Sequence, residues 1–175
     1  RRAQPALAVE LGLRGTVIGF IGRFVPEKGV MDLLETAAAL GRDFSLLLIG
    51  GGALEQELRR RAGELGIAER VRFVLSIPHA EVPRYINLMD ILVLPSYTVP
   101  HWKEQFGQVL VQAMASEVPV LGSTHAEIPN VIGDAGFTFR EKDWDDLGAK
   151  LRMLVDDESL RREYGARGRE RVLAQ

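Results

Sequence analysis

Short runs of apolar residues recur along the chain, separated by longer stretches in which apolar residues return every three or four positions. TVIGFI (16–21), SLLLIG (45–50), VRFV (71–74), ILVLP (91–95) and VPVLG (118–122) are such runs, and a shorter one lies near 136–139. Runs apolar at nearly every position read as strands covered on both faces, because a strand with one wet face alternates. Between them, residues 29–41 put Val30, Leu33, Leu34 and Ala37 on one helical face, with Gly41 as a stop. Residues 53–65 do the same with Leu54, Leu58, Ala62 and Leu65, and Gly66 ends them. A short helix is predicted over 82–88, another in FGQVLVQAMAS (106–116), and two more, at about 143–155 and 157–173, close the chain. Strands alternating with helices in this way make parallel βαβ units. The predicted fold is α/β: a doubly wound parallel six-stranded sheet with helices on both faces.

Composition leaves that picture in place. Apolar residues are 46% and charged residues 26% of 175, the balance of a globular domain with one hydrophobic core. No run of eighteen apolar residues exists, so no membrane span is predicted. The first residues, RRAQPALAVELGL, lack a signal-peptide core. A start at arginine rather than methionine points to a piece of something larger. Cysteine is absent, which excludes disulfides and Cys-ligated metals and fits a reducing, cytoplasmic setting. Net charge is −2, which gives no global pull toward nucleic acid or acidic lipid. Arg59–Arg61 and the arginines of 161–171 sit among glutamates. Glu55–Arg59 and Glu57–Arg61 have the spacing of ion pairs on a solvated helix face.

In doubly wound sheets ligands bind where strands end and loops enter helices. Those segments are 22–29, 50–53, 75–81, 96–107 and 122–127. GRFVPEKG (22–29) puts two cations, Arg23 and Lys28, in one loop after Gly22. A fork and a point charge on one spot suit a diphosphate, although two solvated loop cations are the plainer reading of the spacing. In KEQFGQVLVQAMAS (103–116), Gly107 opens a helix whose first amides are unpaired and whose end is electropositive, so a phosphate fits there. Glu104 before it has the plainer role of a helix-capping acid. Gln112, inside an otherwise apolar helix, needs a polar partner. These residues specify an anion site and do not specify a sugar.

The ordered segments IGRFVPEKG, LLLIGGG, RVRFVLSIP, ILVLPSYTVPHWKEQFGQVLVQAMASEVPVLGS and AEIPNVIGDAG resemble a known family. It is the C-terminal, nucleotide-sugar-binding domain of family 4 (group 1) glycosyltransferases with the GT-B fold, and the likeness runs from about Gly15 to the C-terminus. It implies a Rossmann-like sheet forming one half of that fold. Residues 1–14 would be the end of an interdomain linker, and an N-terminal acceptor domain would lie outside this chain. Any peripheral membrane contact would run through that missing domain. The resemblance also implies a retaining, metal-independent, hexosyltransferase-like enzyme with no cofactor, taking a UDP-, GDP- or ADP-linked sugar as donor; the isolated domain would be inactive. Arg23 and Lys28 match the basic pair on the donor diphosphate, beside Gly22. Amides around Phe106, Gly107, Gln108 and Val109 would hold the distal phosphate. Glu104 matches the first acid of the family's Glu-seven-residues-Glu motif, which contacts hydroxyls of the transferred sugar. Gln112 stands where the second acid binds the ribose, and backbone near Ile77 and Pro78 would flank the base.

Three positions depart from the family pattern. Gln112 replaces Glu, which trades charge-assisted bonds for neutral ones about half as strong. Glu117 and Ala126 stand where glycine is usual. These departures keep open a catalytically impaired nucleotide-sugar-binding module, and a non-sugar nucleotide-binding α/β domain is the other alternative. Asp143-Trp144-Asp145 imitates a metal-binding Asp-x-Asp signature, but its place at a helix start predicts capping. His79, His101 and His125 lack metal-ligand spacing, though His125 falls at the end of the fifth strand, where a cleft role is open. No Gly-x-Gly-x-x-Gly opens the first helix, which argues against a dinucleotide site.

Overall fold

The computed structural model describes residues 5–100 and 107–174. Its six strands are β1 (Thr16–Ile21), β2 (Phe44–Ile49), β3 (Val71–Val74), β4 (Ile91–Leu94), β5 (Val120–Ser123) and β6 (Phe137–Phe139). They form one sheet in the order β3-β2-β1-β4-β5-β6, and every pairing is parallel. The helices are α1 (Pro5–Glu10), α2 (Val30–Ala38), α3 (Glu55–Glu64), α4 (Val82–Ile86), α5 (Gln108–Ala115), α6 (Ile128–Ile132), α7 (Trp144–Asp156) and α8 (Glu158–Leu173). The predicted doubly wound, Rossmann-like architecture is the one found. The fifth strand starts at Val120 rather than at residue 118, because Val118 still closes the end of α5 and Pro119 has no amide for the ladder.

Successive residues of a strand face opposite sides of a sheet, and here both sides are covered. Leu46 and Leu48 of β2 join a core with residues of α2, α3 and α7. Leu47 and Ile49 join a second core with residues of α1, α4, α5 and α6. A strand buried on both faces has no polar positions to alternate, which is why these runs are continuous. Within 1–14, the stretch expected as linker, Pro5–Glu10 is helical and Leu7, Ala8 and Leu13 are buried in the second core. Arg72 on β3 fastens this segment by donating from Nε to the Leu11 carbonyl at 2.6 Å.

Helix α8 carries almost no apolar face; its buried residues are Gly165 and Gly168. It docks on α5 by close backbone approach. A Cβ at Gly165 would stand 2.2 Å from the Glu117 carbonyl oxygen, and one at Gly168 would stand 3.2 Å from Met114 Cβ. Of the two expected ion pairs, Glu55–Arg59 closes at 3.0 Å, whereas Arg61 reaches Glu35 on α2 at 2.8 Å and Glu64 at 3.3 Å.

The end of α5 holds a strained residue. The Glu117 amide donates to the Met114 carbonyl and the Val118 amide to the Ala113 carbonyl, so Glu117 takes the left-handed position of a Schellman cap at φ 58°. Glycine suits that position, and a side chain there costs about 1–2 kcal/mol. The carboxylate's contact with Arg169, 3.6 Å away on the surface, offsets little of this. Glu117→Gly is therefore expected to stabilise the fold by about 1 kcal/mol and raise Tm by about 2–4 °C. A urea or thermal melt at or below wild type would refute it.

Candidate functional site

The strand order reverses direction between β1 and β4, so the loops leaving these two strands flank the crevice where such sheets bind ligands. The loop after β1 is pinned at its middle by Phe24, fully buried and 6.2 Å from the rings of both Phe20 and Phe73. That anchor turns Arg23 outward, where its side chain is 63% exposed and lies 3.8 Å from Glu27. Residues Pro26–Lys28 then form one 3-10 turn, closed by Gly29 at φ 67°. Lys28 is half-buried at the end of that turn, directly before α2.

Two contacts bring the β1 and β4 loops together. The Tyr97 amide donates to the Glu27 carbonyl at 2.9 Å, and Gly29 lies so near Pro95 that a Cβ would meet its carbonyl oxygen at 2.2 Å. On the other side, Gly50, Gly51 and Gly52 press the β2 loop onto the β1 loop. The Phe24 amide donates to the Gly51 carbonyl at 2.8 Å and the Leu54 amide to the Phe24 carbonyl at 3.0 Å. A Cβ on Gly50 would meet the Gly22 carbonyl oxygen at 1.9 Å. Gly22 is thus part of a backbone floor shared by three loops.

Gly107 precedes α5 at φ 64° and ψ 49° and offers no side-chain cap, so the first amides, among them those of Gln108 and Val109, open toward the carboxyl edge of the sheet. One turn on, Gln112 Nε2 lies 3.5 Å from His79 Nε2. His79 follows Ile77 and Pro78 in the loop after β3, so residues 77, 78 and 112 share one neighbourhood. Ile77 packs on the second core, while Pro78 is exposed and starts the 3-10 turn His79–Glu81. Glu104 and Phe106, expected at this site, lie outside the described residues, as do His101 and Trp102.

Charge gathers around Tyr97. Burial, then the carboxylates of Asp32 and Glu27, push its phenol above the usual range. Asp32, on the first turn of α2, is also raised, mainly by burial and further by Glu35, against the lowering effect of a backbone hydrogen bond and Lys142. Lys142 Nζ lies 4.8 Å from the Tyr97 ring centre. Asp143 has the capping role expected of it: its side chain accepts from the Asp146 amide at 3.0 Å at the start of α7. Among the described residues no cluster of His, Cys, Asp and Glu side chains is gathered as metal ligands, and no helix is long and apolar enough to cross a membrane.

A cavity of about 720 Å³ opens at the amino end of the sheet, between residues such as Thr16, Asn87, Asp90 and Arg161. Its polar groups serve the fold. Asp90 accepts from the Val17 amide at 2.8 Å, and Arg161 donates to the Leu154 and Val155 carbonyls that end α7. Position along the strands, rather than volume, therefore identifies the site. The sequence reading missed the partnership of Gln112 with His79 and a side-chain network of Thr98, His125 and Glu141. The partners of that network are 27 and 43 residues apart, a separation no local pattern reveals.

Comparison with known proteins places the chain in a family. The family profile described as "Glycosyl transferases group 1" matches residues 9–171. The chain is 33% identical over 162 residues to the capsular polysaccharide biosynthesis glycosyltransferase CapM of Staphylococcus aureus, covering 89% of this chain and 41% of CapM. It thus spans about two fifths of that relative's length. In three dimensions it is similar to the C-terminal domain of the group 1 family glycosyl transferase LpcC from Francisella tularensis. The TM-score there is 0.86 and the identity 26%, with 100% of this chain and 92% of that one covered. Anabaena HepE, solved in complex with UDP, shares the fold at a TM-score of 0.84 and 20% identity, over 98% of this chain and 46% of its own.

Proposed function

The chain belongs to the group 1 glycosyl transferases, and from that membership we propose that it is the donor-binding half of a retaining, metal-independent enzyme of family 4. This half takes a nucleoside-diphosphate sugar, and an acceptor domain in the same protein completes the cleft. Among relatives, the shared chemistry is sugar transfer; the donor sugar and acceptor of this protein are its own. The chain by itself would bind donor and transfer nothing, and sugar transfer by it alone would contradict this. A cytoplasmic setting goes with the proposal.

The observation that carries the reading is the junction at the sheet's switch point. There the β1 loop with Arg23 and Lys28 is backed by the glycines of the β2 loop and bonded to the β4 loop that leads into α5. As the bond between the anomeric carbon and the diphosphate breaks, negative charge grows on the leaving oxygen. Lys28, Arg23 and the α5 amides would stabilise it without a metal. Glu104 would orient the sugar hydroxyls, and Gln112 beside His79 would meet the ribose, with Ile77 and Pro78 against the base. A thermal-shift comparison of UDP, GDP and ADP with NAD and ATP tests the reading. Stabilisation by NAD or ATP and by none of the diphosphates would overturn it.

Gln112→Glu should tighten nucleoside-diphosphate binding, since a carboxylate accepting ribose hydroxyls forms charge-assisted bonds about twice as strong as neutral ones. A gain of about tenfold is expected, an increment of ~1.4 kcal/mol. Titration calorimetry with UDP and GDP showing no gain would remove Gln112 from the ribose site.

A further inference from the structure

The loops leaving β4, β5 and β6 are tied together by a side-chain network away from the proposed nucleoside end of the site. His125, just after β5, is 1% exposed, and a buried imidazole must be hydrogen-bonded to be tolerated. Its Nδ1 lies 3.0 Å from Thr98 Oγ1 in the β4 loop and 3.6 Å from Glu141 Oε2 in the loop after β6. Thr98 Oγ1 is also 3.0 Å from Glu141 Oε2. An ionised carboxylate only accepts, and a hydroxyl has one proton to give. Thr98 therefore donates to Glu141 and accepts from His125, which assigns the imidazole proton to Nδ1. The Thr98 amide donates to the other oxygen of the same carboxylate, and the Glu141 amide donates to Thr124 Oγ1 at 3.0 Å.

Two strained residues border this network. Ala126 follows His125 at φ 47°, and Lys142 follows Glu141 at φ 61°. Side chains occupy the left-handed region only where the surroundings over-determine it, and such positions gather at functional sites. The bonds on His125 and Glu141 supply that determination. The sheet order also sets β5 and β6 on the flank opposite β3, whose loop carries Ile77, Pro78 and His79. The tied end is therefore the end remote from the base.

We propose that Thr98, His125 and Glu141 are positioning residues that hold the first part of the loop after β4 (residues 95–100) and the loops after β5 and β6 in register with the transferred sugar, an inference that rests on the donor-site reading above. They touch no reacting atom in this assignment; they fix the backbone at Thr98, at Thr124–Ala126 and at Glu141, on the flank of the crevice remote from the base. Their loss should therefore act on turnover and spare the affinity for nucleoside diphosphate.

The test uses the whole protein and release of nucleoside diphosphate from UDP-, GDP- and ADP-glucose, together with amide exchange at residues 97–99. Thr98→Val, which keeps shape and removes the hydroxyl, is expected to lower turnover about 10- to 100-fold. Affinity for the free diphosphate should stay within about twofold, as for an interaction made only on the way to the transition state. Thr98→Ser should restore both turnover and slow exchange. Wild-type turnover in the valine variant, a serine variant as slow as the valine one, or affinity falling in step with turnover would each overturn the network. Release from none of these sugars by the wild type would count against the donor reading instead. Exchange then decides the network: faster in valine and restored in serine upholds it, and unchanged in valine overturns it.

Discussion

Turnover of the whole enzyme is expected to fall about 100-fold when Lys28 is replaced by alanine, and less when Arg23 is. The leaving diphosphate gains negative charge as the glycosidic bond breaks. A fixed donor aimed at such a charge is worth roughly 3 kcal/mol of barrier in a site that excludes water. The two cations differ in how well they meet that condition. Lys28 is half-buried at the end of a one-turn 3-10 helix, against the junction of the β1 and β4 loops. Arg23 stands 63% exposed, so solvent weakens its field. Steady-state kinetics at saturating donor measure the difference. Equal and small losses for Lys28→Ala and Arg23→Ala would mean that the diphosphate lies elsewhere.

Gly50→Ala is expected to cost about 4 kcal/mol of stability, enough to leave much of the protein unfolded, whereas Gly51→Ala should cost under about 1 kcal/mol. At Gly50 the backbone sits at φ 137°, a region that side chains rarely enter, and the added carbon would lie 1.9 Å from the Gly22 carbonyl oxygen. A backbone carbonyl in the central strand's exit loop has nowhere to move. At Gly51 the nearest atom is the Leu75 carbonyl oxygen at 3.6 Å, an ordinary contact. Adjacent residues of the same type thus give opposite forecasts, and urea denaturation of the two variants separates them. A Gly50→Ala protein as stable as wild type would mean that the three loops are not packed as described.

The strands were readable because burial on both faces leaves continuous apolar runs, and the run around Leu46–Leu48 is the plainest case. Their parallel direction followed from the alternation with helices, since parallel neighbours need a crossover; their order, β3-β2-β1-β4-β5-β6, came only from the structure. Helix α6 was not readable, because Ile128–Ile132 is too short to display a 3.6-residue period. The site was legible in part. Arg23, Lys28, Gly107 and Gln112 could be singled out by their types and their place after strands, but the sugar chemistry came only with the family likeness. Three-dimensional neighbours were hidden. Nothing local ties His79 to Gln112, or Thr98 to Glu141, because folding alone supplies these meetings. Glu117 and Ala126 stood out as departures from glycine, and both occupy left-handed backbone, so the usual glycine has a steric reason at each.

The two outermost strands are the shortest of their flanks: β3 has four residues and β6 three. An unpaired strand edge is a template on which another chain can build, and its reach grows with its length. By confining the long strands, β1 and β2 with six residues each, to the interior, this arrangement leaves little edge for a stray chain to copy. Resistance to intermolecular aggregation is thereby built into the sheet's outline, independent of surface charge.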